Sequence, residues 1–267
     1  MIYQLSSNYK PNFSANLSSP KLRFKQEDFF IKIQGYGRNT LWASKMKETT
    51  DCAVNLMRNN TLVETILMLI SNGVSQANKM TLNIGKRTQT GVLRTLRPNW
   101  KSFSENRDVV TSYVVSRYKG YANRLDVIEQ HPLNSINSQI GMSRPNKYQD
   151  IIHGSAFKIN GSLDYIFKLY NDRFSKYLKK DVQPNDLADI VDIVAEIRWV
   201  LAHSTPWMRG SDAISNAFMR AMFKSVGVKA YPPAKNISFD LEAYCRNLGD
   251  YKKNFSTFFE KPLMVIE

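Results

Sequence analysis

Glu196–Arg220 is the stretch of this 267-residue chain whose side chains are best suited to chemistry. It reads EIRWVLAHSTPWMRGSDAISNAFMR. His203 is one of only three histidines, and an imidazole titrates near neutral pH, as a general base must. At about 100° per residue on a helix, His203 falls about 180° from Val194 and shares a side with Asp192, Glu196 and Trp199. That alignment predicts one packed face and one open face, with two carboxylates leading to the imidazole. Pro206 then stops the helix, Gly210 allows close backbone approach, and Ser211 starts a new helix. A helix N-terminus offers unpaired N–H groups to an anion, and Arg209 just before it can fork onto a phosphate or carboxylate. The expected catalytic set is His203, Glu196 and Asp192. Arg209, Gly210, Ser211 and Arg220 are the expected contacts to a nucleotide or other phosphate-bearing cosubstrate.

The order His203, Pro206-Trp207, Gly210, Arg220 resembles the signature loop of the Fic family of nucleotidyl-transferases, which are all-α proteins. The resemblance implies that His203 deprotonates a target hydroxyl, Gly210 approaches a phosphate and Arg220 neutralises it. Ser204 and Thr205 separate His203 from Pro206, and Asp212-Ala213 stand where that family has its second glycine and arginine. Different chemistries are also open to these residues. Arg198 and His203 fit the Arg-x4–6-His spacing of HEPN ribonucleases, which implies a basic helical RNA-binding or RNA-cleaving protein. His153-Gly154-Ser155 resembles the NAD-gripping motif of poly-ADP-ribose-polymerase-type transferases. Cys52, placed near a helix N-terminus that would lower its pKa, could join His203 and Asp192 or Asp212 in a hydrolase or deamidase. The chain also reads as a non-catalytic interaction module in which the 196–220 turn is only a packed corner. No cysteine or histidine spacing suits zinc, and no metal is expected.

The rest of the chain must position these groups. Hydrophobic residues make up 43%, enough for an ordinary core. Two cysteines, Cys52 and Cys245, do not make a disulfide framework. The formal charge of +14 favours an anionic partner, whether nucleotide, nucleic acid or acidic host protein. Lys86, Arg87, Arg94, Arg97 and Lys101 form the densest basic segment, with Trp100 and Phe103 beside it, a composition able to grip phosphates and stack bases. No apolar run approaches the roughly 18 residues of a membrane span, and the N-terminus lacks the pattern of a Sec signal.

Residues 1–27, rich in Ser and Asn, read as a flexible leader. Their composition resembles the leaders of Gram-negative type III secreted effectors, which implies export into a host cell without a Sec signal. Without that export the chain would be cytoplasmic.

Residues 28–267 are expected to form one mainly α domain, with a sub-boundary near 131–147. A short strand is expected at 29–33. Helices are expected from Thr50 or Asp51, from Thr61 with Gly73 a weak point near its end, over Glu105–Lys119 and over Ser162–Lys179. Further helices should run from Asn185 or Asp186, from Ser211, and over Asp240–Phe259. These features together suggest an effector enzyme that transfers a nucleotidyl or similar group to a host macromolecule.

Overall fold

A computed structural model describes residues 24–30, 39–79, 83–88, 93–94, 144–145, 151–152, 156–235, 237–244 and 246–266. In chain order the helices are α1 (Thr40–Arg58), α2 (Val63–Ala77), α3 (Ala156–Leu169), α4 (Leu187–Ser204), α5 (Ser211–Ser225), α6 (Phe239–Tyr244) and α7 (Leu248–Asn254). A 3-10 turn, Gln26–Phe29, precedes α1, and a π turn at Tyr170–Phe174 followed by a 3-10 turn at Ser175–Lys179 prolongs α3. Strands are short: β1 (Leu93–Arg94) and β2 (Arg144–Pro145) flank β3 (Ile151–Ile152), and β4 (Val228–Lys229) pairs antiparallel with β5 (Met264–Val265). The fold is mainly α, as expected. No described helix is long and apolar enough to cross a membrane.

α1 starts earlier than the expected Thr50. Asn39 is its cap, accepting from the Trp42 N–H at 2.9 Å. Thr50 is fully buried inside the helix, with its hydroxyl donated to the Met46 carbonyl. The early turns bury only Ala43 and Met46 between polar residues, too sparse a stripe to show as helical periodicity. α2 crosses α1 at Gly73, where a Cβ would come within 2.2 Å of Thr49 Oγ1. This glycine permits a close crossing rather than marking a weak point.

α4 is the central helix. From Ile190 to Ser204 every residue except Asp192 is buried. α3, α5, α6 and α7 all pack against it. The expected final helix, Asp240–Phe259, is interrupted. Asn247 caps α7 by accepting from the Asp250 N–H at 2.8 Å, so the chain turns between α6 and α7. Tyr251, Phe255, Phe258 and Phe259 beyond the turn form an aromatic cluster with Phe239 of α6 and Phe223 of α5, ring centroids 5.1 to 6.5 Å apart.

Several expectations fall outside the described residues: the helix at Glu105–Lys119, His153, the leader up to 23, strand residues 31–33, and most of the 131–147 boundary and of the basic segment 86–101. Phe29 itself ends a 3-10 turn and is 6% exposed. The end of the expected leader, residues 24–27, packs on the domain through Phe24.

Candidate functional site

The α4–α5 corner is tightly specified by backbone. Thr205 ends α4 in a left-handed conformation, φ 40°, and donates its N–H to the Leu201 carbonyl. Residues 206–209 then pair with residues 85–88. The Thr88 N–H donates to the Pro206 carbonyl, Met208 to Lys86 and Gly85 to Arg209, all within 3.0 Å. Arg87 holds this pairing from outside, its guanidinium carbon 5.9 Å from the Trp207 ring and its Nη2 donating to Asn160 Oδ1 at 2.7 Å. Gly210 has φ 84°, and a Cβ there would meet Ile84 and Val74 at 3.2 Å. Ser211 Oγ donates to the Trp207 carbonyl at 2.9 Å, so this hydroxyl holds the loop. Arg209 is exposed and directly precedes Gly210, the N-cap of α5.

His203 does not lie on an open face. It is fully buried, with its ring centroid 4.1 Å from that of Trp199. The helical alignment of these two rings is as expected, but α6 and α7 cover them. His203 Nε2 lies 3.2 Å from the Ala243 carbonyl oxygen, so it carries the proton in that bond. Trp199 Nε1 donates to the Arg246 carbonyl at 3.0 Å. The two carboxylates expected to serve His203 turn to other partners. Glu196 accepts from the Tyr165 hydroxyl and, at 2.9 Å, from Lys252 of α7. Burial pushes its pKa up, but these two donors outweigh burial and hold it below the ordinary value. Asp192 lies 2.8 Å from Lys252 and 3.6 Å from Arg173. The helical wheel failed because it could not foresee which later elements cover its polar side.

Between α4, α5 and α6 lies a constellation that sequence reasoning missed. Arg198 is fully buried, donating Nη2 to Asp212 Oδ1 and Nε to Asn216 Oδ1 at 3.1 Å. Asn216 Nδ2 donates to the other Asp212 oxygen at 3.0 Å. Asp240 of α6, which accepts from the Ser238 hydroxyl, adds a second negative charge. Two-fifths of the Asp212 side-chain surface meets solvent, yet its carboxylate is crowded by protein atoms. Burial is the larger cause and the Asp240 charge the second in pushing the Asp212 pKa up to about 7, against the pull of Arg198 and Asn216. A carboxylate with a raised pKa at a helix N-terminus can move a proton at neutral pH, and an exposed arginine stands three residues before it in the chain. In the sequence, Asp212 stands out only as a departure from a motif or as the acid of a triad. Asp240 is distant in sequence and gives no signal there.

The remaining candidates separate. Arg198 points to α5 and His203 to α6, so the Arg-x4–6-His pair does not converge. Cys52 sits deep inside α1, far from its N-terminus, and burial followed by the Glu48 charge pushes its thiol pKa up. None of the charges acting on it comes from His203, Asp192 or Asp212. Arg220 lies nine residues beyond Ser211, about 14 Å along α5, and faces the 24–30 segment rather than the corner.

Compared with curated proteins one at a time, the chain matches none. The family model described as "AvrB_AvrC: Avirulence protein" does match, over residues 99–262. That span takes in α3 to α7 and the whole corner, and is more than half of the chain. By that match the chain belongs to the AvrB/AvrC avirulence protein family, a family of secreted bacterial effectors.

Proposed function

We propose that this effector transfers a nucleotidyl or similar group to a host macromolecule, with the α4–α5 corner as its reaction centre. The observation that carries the reading is the pair Asp212 and Asp240 gathered around the buried Arg198. In this reading ionised Asp212 takes the proton of a host hydroxyl as the hydroxyl oxygen bonds to the transferred group. The bond from that group to the leaving phosphate breaks. Arg198 keeps Asp212 in place, and Asp240 keeps it basic enough to accept a proton near pH 7. Arg209 and the first N–H groups of α5 receive the negative charge of the cosubstrate. His203 is then a positioning residue, since its bond to Ala243 fixes α6, the helix that carries Asp240. Glu196 and Asp192 hold α7 through Lys252.

The test is to incubate the purified protein with host-cell extract and nucleotides and to follow added mass on host proteins by mass spectrometry. Asp212→Asn leaves the buried Arg198 without its carboxylate and should lower the melting temperature by about 6–20 °C. Assayed at a temperature where the variant is folded, it should slow the transfer roughly 10²- to 10⁴-fold, the range for loss of a general base. An unchanged transfer rate in Asp212→Asn, or no host adduct with the wild-type protein, overturns the reading.

A further inference from the structure

Arg220 is buried without a use at the corner. It is 5% exposed, and its Nη1 donates to the Asp28 carbonyl oxygen. Its Nε and Nη2 have no hydrogen-bond partner. Those two N–H groups form the side-on fork of the guanidinium, two parallel donors spaced for two oxygens of one oxyanion. Arg198 on α4 shows the contrast, because Asn216 and Asp212 fill the same two nitrogens there. Burying two donors unmade is costly, so such an edge calls for a partner.

The surroundings favour a doubly charged one. Lys224, one turn further along α5, has a 5% exposed side chain and pairs with Asp51 at 2.6 Å. Lys47 and Arg58 also act on Lys224, while Asp51 and Asp28 are the carboxylates acting on Arg220. The cations Lys47, Arg58, Arg220 and Lys224 thus outnumber the two carboxylates by two charges. Asp28 does not fill the Arg220 fork, since it spends its carboxylate on the Lys25 N–H of its own turn at 2.8 Å.

What covers the pair is a strap, residues 24–30. The Phe29 ring lies 4.2 Å and the Phe24 ring 4.9 Å from the Arg220 guanidinium carbon, and Phe24 also lies 4.2 Å from Lys224 Nζ. Away from these rings the strap has a few polar ties, among them Gln26 to the Thr40 carbonyl at 2.6 Å. Phe24 is only partly buried, so the cover opens at its rim.

We propose that Arg220 and Lys224 form a binding site for a phosphate dianion, closed by the Phe24–Phe29 strap, which the ligand displaces. The two oxygens nearest the guanidinium take the Nε and Nη2 donors, and Lys224 balances the second charge. This site uses residues other than those of the group-transfer reading and stands apart from it. Free phosphate and a phosphoryl group on a larger partner share the chemistry.

The experiment titrates the full chain with inorganic phosphate by calorimetry and follows amide hydrogen exchange over 24–30. Phosphoserine forms a second arm and acetate a control, all at fixed ionic strength. Inorganic phosphate should bind one to one at millimolar concentration and speed exchange in 24–30. Phe24→Ala should tighten binding about tenfold by raising the open fraction. Arg220→Lys, which keeps the charge and loses the fork, should weaken it about tenfold or more. Tighter binding of phosphoserine than of phosphate would assign the site to a phosphorylated partner, and the reverse to a free ion. If the wild-type protein shows neither heat nor faster exchange at millimolar phosphate, the proposal fails, whatever the variants do. Acetate binding as tightly as phosphate, or an Arg220→Lys variant that binds as well as wild type, also overturns it.

Discussion

Alanine at Gly210 should cost about twice what it costs at Gly227. Both glycines are left-handed, with φ 84° and φ 75°. A Cβ in that region costs roughly 1–2 kcal/mol, and the stiffer unfolded chain returns about 0.4–1 kcal/mol, leaving about 1 kcal/mol of destabilisation at either position. Nothing lies within 4 Å of a Cβ at Gly227, so conformation is the whole cost there. At Gly210 a Cβ meets Ile84 and Val74 at 3.2 Å, and these branched side chains are held by the loop pairing and by α2. Relieving that crowding adds about 1 kcal/mol, the low end of overpacking. At about 2–4 °C per kcal/mol for a chain of this size, Gly227→Ala should lower the melting temperature by about 2–4 °C and Gly210→Ala by about 4–8 °C. The Gly210 change should also loosen residues 85–88 from the corner and speed tryptic cleavage after Lys86 and Arg87, an effect absent from Gly227→Ala. Scanning fluorimetry and timed trypsin digestion measure both. Equal shifts, or a larger one at Gly227, would refute the claim that the corner is seated on residues 84–88.

Glu196 titrates below its ordinary value of 4.5 in the fold, so its stabilising contribution is present above that pH and is lost as pH falls through the folded value. Replacing both donors, in Tyr165→Phe with Lys252→Met, leaves a buried carboxylate whose pKa rises. The double variant should melt below wild type at pH 7 and approach it as the pH is lowered progressively below 4.5, and a gap that stays constant with pH would contradict this. Cys52, measured in a Cys245→Ser background, should react with iodoacetamide more slowly than free cysteine at pH 7.5 and speed up above pH 9. Fast reaction at neutral pH would revive a nucleophilic role.

The local part of this fold was legible in the sequence. Ser211 opens α5, and the stripe Ile214, Ala217, Phe218, Ala221 and Met222 is buried as its helical spacing implies, although Met219, Arg220, Phe223 and Lys224 are buried as well, which the stripe alone does not show. α4 has core on nearly every side, so its polar residues are paired rather than exposed, and a wheel with one apolar face misplaces them. His203 and Trp199 are covered by α6 and α7, which follow only after a turn, two strand residues and a proline pair. The break at Asn247 was hidden by an aromatic run that continues through it. Asp212 and Asp240 meet only through tertiary packing, and no spacing rule links them. One signal was available: Arg198 falls on the core side of its helix, and a buried arginine requires a carboxylate to face it.

The claim that the corner handles protons near neutral pH is tested most directly by following the Asp212 carboxyl carbon through a pH titration by NMR. The structure predicts a midpoint near 7 in the wild-type protein. That midpoint should move down in Asp240→Asn, which removes the neighbouring negative charge, and up in Arg198→Met, which removes the cation. A wild-type midpoint near 4, the value of an ordinary aspartate, with no response to Asp240, would contradict it.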